Sequence, residues 1–265
     1  IFLSMGISAY LNNIINSPIN ISDEPVFIEI QKGMSFNEIN KLLITKKIIN
    51  NPYVFYGYAR FTNNATNLKA GEYLLKQGLT IRQLLDKFIK GDVFMHSFTI
   101  VEGWTLSQTI EELIKVPELE NKEILNDESI IRSNLGIKET SLEGLFLPET
   151  YFFPKNTSAS ILLSNAYEAM QDVLSIEWQN RSINLPYDSP YEALILASII
   201  EKETALTSER KMISGVFNRR LNQNMRLQTD PTVIYGLGDD FDGNLTRDNL
   251  KFDTPYNTYT RRGLP

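Results

Sequence analysis

Apolar and polar positions along this chain change period several times, and capping residues mark most of the changes. Val26–Ile30 alternates as a strand and is closed by Lys32-Gly33. Ser35 stands three residues before Glu38, a capping box that opens a helix over 36–45. Pro52 lies in the first turn of a second helical run, ending at Phe61. Gly71–Leu75 reads as a short strand after a glycine turn. Thr80 and Gln83 then box the amphipathic run 84–89, which Gly91 ends. Residues 26–95 are therefore expected to form a small module of short strands around amphipathic helices.

The pattern then coarsens. Residues 98–101 read as a strand, and Thr105 with Gln108 caps a helix over 106–115 that Pro117 stops. A polar section reaches Glu139. An aromatic loop over 142–153 follows, carrying Glu143 and Glu149. Residues 159–178 predict a long helix. Ser189-Pro190-Tyr191-Glu192 combines cap, N1 proline and boxing glutamate, and 193–200 is apolar on every side, predicting a helix enclosed by core. A further helix is expected over 209–221, with strands and loops over 225–265. The first eleven residues are apolar and uncharged, too few to span a bilayer, which takes about 20. They read either as a helix of the fold or as the end of a membrane anchor joined through a polar linker to Pro25.

Composition narrows the chemistry. The 265 residues hold 26 Lys+Arg against 32 Asp+Glu, a net charge of −6, so no basic footprint for nucleic acid is visible. With no cysteine, disulfides, thiolate catalysis and iron–sulfur clusters are excluded. The single histidine, His96, removes the familiar zinc triads and is expected to be structural. Any general acid or base is expected to be a carboxylate.

One carboxylate pair stands out. The apolar run ends in Ile200-Glu201-Lys202-Glu203-Thr204, and a carboxylate beside an apolar face is suited to donate a proton because desolvation favours its neutral form. Glu201 has small neighbours one turn away on both sides, Ala197, Ser198, Thr204 and Ala205. Glu203 lies about 200° around the helix from it, so the two cannot act as one pair. Periodicity does not choose between them, and both equally mark a core helix reaching solvent. Arg210 is a plausible partner for a buried glutamate here. Residues 225–236 and 256–259 mix aromatic faces with amide and hydroxyl groups, the combination that sugar recognition uses; a hydrogen-bonded structural loop has the same composition.

These residues carry a resemblance. Leu196–Thr204, continuing through Glu209-Arg210 and Val216–Arg219, then Met225–Gly236 and Pro255–Tyr259, together with Glu143-Gly144 and Leu147–Tyr151, resemble the YceG-like family of endolytic murein transglycosylases. The resemblance covers nearly the whole chain. It implies an α+β fold in which residues 1–25 are the end of a membrane anchor and its linker. Residues 26–95, with Lys69–Tyr73 at the matching turn, would be a LysM-like module. Residues 96–265 would be a mixed, mainly helical, lysozyme-like catalytic domain whose family pattern continues beyond Gly263-Leu264-Pro265.

The same resemblance places the catalytic acid, later base, on Glu201. It implies Glu149, Arg210, Gln228, Thr229, Asp230, Tyr235, Asn257 and Tyr259 as the residues holding sugars, with no metal and no cofactor. The implied substrate is peptidoglycan glycan, cleaved between MurNAc and GlcNAc with a 1,6-anhydro product. Peptidoglycan synthases are the candidate protein partners, and the implied location is the outer, periplasmic side of the bacterial inner membrane. Two alternatives remain at this level: a non-catalytic peptidoglycan-binding module, and a hydrolase with a second carboxylate among Glu143, Glu149 and Asp230.

Overall fold

A computed structural model describes residues 10–139 and 141–265. Of residues 1–25, expected as the end of a membrane anchor and its linker, the first nine lie outside them. Among the described residues no helix is long and apolar enough to cross a membrane. The fold is mixed, mainly helical with small two-stranded sheets, and the chain divides into two compact units. One comprises the residues up to Ser97 together with Phe152–Thr157, and the other Phe98–Tyr151 together with Ser158–Pro265.

In the first unit, β1 (Val26–Ile30) is followed by α1 (Phe36–Thr45), α2 (Pro52–Phe61), β2 (Gly71–Leu75) and α3 (Ile81–Lys90). The expected capping boxes at Ser35 and Thr80 are both formed, and Gly91 closes α3 in the left-handed conformation. β1 and β2 pair antiparallel, with Ile28 opposite Tyr73 and Ile30 opposite Gly71. Pleating turns Ile28, Ile30, Tyr73 and Leu75 into a core shared with Leu43, Phe55, Leu84 and Phe88. Tyr73 is wholly enclosed, and its hydroxyl donates to the Lys69 carbonyl at 2.7 Å. On the opposite face Lys155 Nζ bridges Glu29 (2.6 Å) and Glu72 (3.3 Å), and His96 Nε2 lies 2.8 Å from Glu72.

In the second unit the expected helices form as α4 (Leu106–Lys115), α6 (Ala159–Gln179), α7 (Pro190–Glu203) and α8 (Thr207–Asn222). Capping boxes at Thr105 and Ser189 open α4 and α7. Five elements depart from expectation. β3 runs over Met95–Thr99, earlier than the apolar run 98–101, and pairs with β4 (Thr150–Pro154). The polar section holds a helix, α5 (Glu128–Leu135), with Asp127 as cap and left-handed Gly136 as stop. The stretch expected as strands and loops holds α9 (Asp230–Leu237) and α10 (Arg247–Lys251). Finally, α7 is only half enclosed: Leu196 and Ile199 are buried against Phe217 and Leu227, whereas Ala197 and Ser198 are exposed. The all-round apolar run is small on one side, and that side faces solvent.

Candidate active site

The exposed side of α7 leads directly to Glu201. Its carboxylate is 27% accessible and receives Arg210 Nη2 at 2.9 Å and 3.1 Å on its two oxygens. It therefore sits in a charge pair at the mouth of the small-residue face, not in the apolar enclosure expected from sequence. Arg210 reaches back because α7 and α8 meet at a tight corner. Thr204 Oγ1 donates to Glu209 (2.7 Å) and accepts the Leu206 N–H (3.0 Å), which fixes the turn and takes Glu209 out of competition for Arg210. The Arg210 Nε–H is buried without a partner. An unsatisfied charged donor beside a carboxylate is a costly arrangement, and a bound oxygen atom would relieve it.

Glu203 faces elsewhere, as the helical period requires. Its Oε2 accepts the Thr229 hydroxyl at 2.6 Å. Thr229 in turn gives its backbone N–H to Thr258 Oγ1 (3.1 Å), and Thr232 Oγ1 lies 2.8 Å from the same atom. Thr229, Thr232 and Thr258 are all buried, so this threonine cluster ties the end of α7 to the start of α9 and to the 254–260 turn.

The other expected residues separate into two groups. Asp230 and Tyr259 meet at the rim, where the Tyr259 hydroxyl donates to Asp230 at 2.6 Å. Burial, reinforced by that carboxylate, pushes the Tyr259 hydroxyl up to about 12, which keeps it protonated and donating at neutral pH. Gln228 is exposed beside them, in a left-handed conformation (φ 52°), with its N–H on the Thr258 carbonyl. Asn257 differs. It has no accessible surface, its Nδ2 faces the carbonyls of Asn249, Leu250 and Phe252, and its Oδ1 accepts the Tyr259 N–H. Asn257 and Thr229 thus organise the loop, with their polar atoms occupied internally. Glu149 is exposed and bonds locally, accepting the Thr150 N–H on its side chain and the Ile100 N–H on its carbonyl.

From the sequence, Glu143 is only a candidate second carboxylate. In the fold its Oε1 accepts the Leu106 N–H at the first turn of α4 (3.0 Å) and its Oε2 accepts the Tyr235 hydroxyl (3.2 Å). Burial holds its carboxyl above the ordinary range in spite of those two donors. Tyr235 packs edge-on against Tyr256 at 4.9 Å.

The site thus gathers a carboxylate paired to an arginine on a half-open helix with tyrosine, amide and hydroxyl groups around it; among the described residues no cluster of three metal-ligating side chains occurs. The chain belongs to the YceG-like family, whose pattern it matches over residues 28–265. It is 30% identical, across 92% of its length, to the endolytic murein transglycosylases of Streptococcus pneumoniae R6 and Bacillus subtilis 168. It spans 49% of the first and 71% of the second. A crystal structure of a yceG-like protein from Listeria monocytogenes is similar, with 33% identity and a TM-score of 0.53, covering 92% of this chain and 85% of that one.

Proposed function

We propose that this chain is a lytic transglycosylase acting on peptidoglycan glycan, with Glu201 as its acid and base. The observation that carries the reading is the placement of Glu201 beside the exposed Ala197–Ser198 face, paired to Arg210, in a member of a family whose curated relatives bear that activity in their names. A glycan lying along α7 displaces water from the Glu201 carboxyl, which favours its protonated form. Glu201 then delivers a proton to the oxygen linking MurNAc C1 to GlcNAc, the C1–O bond breaks, and GlcNAc leaves with a free hydroxyl. The carboxylate next takes the proton of the MurNAc C6 hydroxyl as that oxygen bonds to C1, closing the 1,6-anhydro ring. One group serves in both directions and no water is consumed.

Asp230, Tyr259 and Gln228 lie near the start of α9 and, with Tyr235 at its other end, are the residues proposed to meet the sugars, while Thr229 and Asn257 position them. Glu149 is assigned to the glycan path further along the strand pair. The strand–helix–helix–strand order of residues 26–75 supports a LysM-like, glycan-binding role for the first unit. A peptidoglycan substrate supports a location on the outer side of the cytoplasmic membrane, where an anchor through the first residues and peptidoglycan synthases as partners would fit.

The test is mass spectrometry of purified glycan strands after incubation with the wild type and with Glu201→Gln. Fragment ends one water lighter than hydrolysis products, lost in the variant, are expected. Full-mass reducing ends would replace this reading with hydrolysis, and unchanged turnover in the variant would remove Glu201 from the reaction.

A further inference from the structure

We infer that Tyr191, Tyr235 and Tyr256, held in place by Glu143, form a second sugar-binding platform at the far end of α7, remote from Glu201, which grips the glycan strand several sugars from the bond that is cut. The inference rests on the glycan reading above.

The geometry begins with the direction of α9. Its start is bonded to the end of α7 through Thr229 and Glu203. Its last turn carries Tyr235, whose hydroxyl donates to Glu143. Glu143 in turn lies near the beginning of α7: its negative charge acts on the Tyr191 hydroxyl, and a methyl group of Leu194 is 3.8 Å from where a side chain at Gly144 would begin. The helix α9 therefore runs back alongside α7, with acid chemistry at one end and tyrosines at the other. Tyr191 precedes Glu201 by ten residues of the same helix, a rise of about 15 Å, which is the length of a few sugar rings.

Three tyrosines are gathered there, and each keeps a large open surface: Tyr191 is 38% accessible, Tyr235 40% and Tyr256 42%. Exposed aromatic rings held rigidly are a poor way to fill a core and a good way to bind the apolar face of a pyranose. Rigidity comes from two sources. Gly236 lets the 254–257 turn approach so closely that a Cβ there would stand 2.7 Å from Thr254 Oγ1 and 3.3 Å from Tyr256 Cβ. Glu143, anchored by the Leu106 N–H, fixes the Tyr235 ring through its hydroxyl. Burial, reinforced by the Glu143 charge, suppresses ionisation of the Tyr191 and Tyr235 hydroxyls, so both remain donors or acceptors for sugar hydroxyls at neutral pH.

The test measures the chain-length dependence of binding. Calorimetric titrations would use peptide-free glycan strands, long ones and tetrasaccharides, on the Glu201→Gln protein so that nothing is cut. Long strands are expected to bind more tightly. Adding Tyr191→Ala or Tyr256→Ala should weaken the long strands by about threefold to tenfold and narrow the gap to the tetrasaccharide. Glu143→Ala should do the same by freeing Tyr235, and Glu143→Gln, which keeps an acceptor, should recover most of the loss. Equal weakening at both lengths, no weakening at either, or no length dependence before the tyrosine changes would overturn the platform. Because this readout is affinity, it separates from the reaction. Wild-type protein that makes no anhydro ends yet shows the length effect would sink the transglycosylase reading and leave the platform standing.

Discussion

Arg210 closes a 2.9 Å ion pair onto Glu201 from nine residues downstream, across a corner that Thr204 locks by bonding both Glu209 and the Leu206 N–H. Three glutamates lie within reach of that arginine in sequence, and the fold leaves only one unoccupied by another partner. Arg210→Ala is expected to lower turnover by about tenfold to a hundredfold, with Arg210→Lys intermediate because a point charge replaces a fork of donors. Steady-state kinetics on glycan strands checks this, and an equal fall in Arg210→Lys and Arg210→Ala would mean that donor geometry, not charge, is what the site requires.

Thr204 is itself a test of how the corner is built. Thr204→Val keeps the shape and removes both hydroxyl bonds, leaving the Leu206 N–H and the Glu209 carboxylate without them. A loss of about 1–3 kcal/mol in urea unfolding is expected, with activity falling alongside because Arg210 is no longer held. A variant of full stability would mean water replaces the hydroxyl at no cost.

The parts of this fold that were legible in the sequence are the ones decided locally. Ser35, Thr80, Thr105 and Ser189 each satisfy their helix within three residues, and each helix starts where its capping box predicts. The pattern does not predict α9, although Thr229-Asp230-Pro231 is a helix-start signal; the Thr229 side chain, which would ordinarily cap, is committed to Glu203 instead. Asp127 and Gly136 are likewise readable as cap and stop within a polar stretch. At the site, pattern alone led to Glu201 and Glu203 without separating them. Asn257 was expected to face substrate because its type suits amide recognition. Its four bonds run to backbone groups brought together only by folding, which no local rule reveals. The Glu143–Tyr235 bond spans 92 residues and was invisible for the same reason.

Asn257 gives a prediction that divides loop building from sugar contact. Asn257→Ala strands three carbonyls and the Tyr259 N–H in a buried position, so a destabilisation of about 2–3 kcal/mol is expected. Turnover should fall together with the Tyr259–Asp230 rim, and hydrogen exchange over residues 249–260 should accelerate. Weakened substrate binding with stability and exchange unchanged would identify Asn257 as a direct ligand to the sugar.

Gly71 tests the first unit. Its φ of 147° lies where side chains rarely go, and a Cβ would stand 2.4 Å from Val93 Cγ1. Gly71→Ala should cost about 2–4 kcal/mol by thermal or denaturant unfolding. Adding Val93→Ala removes the collision and leaves the backbone strain, so the double variant should recover part of the loss. Full recovery would assign the whole cost to crowding.

The last prediction concerns acid stability. Asp253 accepts Arg261 Nε at 3.0 Å and Nη2 at 3.1 Å, with the Thr260 hydroxyl at 2.7 Å, and these donors hold its carboxyl down at about 2 against 3.8 unperturbed. Because the folded value is the lower one, the folded state binds fewer protons between the two values. The contribution is therefore complete above about pH 4 and disappears as the pH falls toward 2. Glu143 has the opposite sign. Burial raises its carboxyl above 4.5, so ionising it costs stability as the pH rises through its folded value, and below 4.5 that cost is absent. Melting temperatures measured from pH 2 to pH 8 should thus show Asp253→Asn less stable than wild type at neutral pH and converging with it near pH 2. Glu143→Gln should be the more stable protein at neutral pH, its advantage shrinking toward pH 4. Parallel curves for either variant would show that its effect is packing or hydrogen bonding rather than proton linkage.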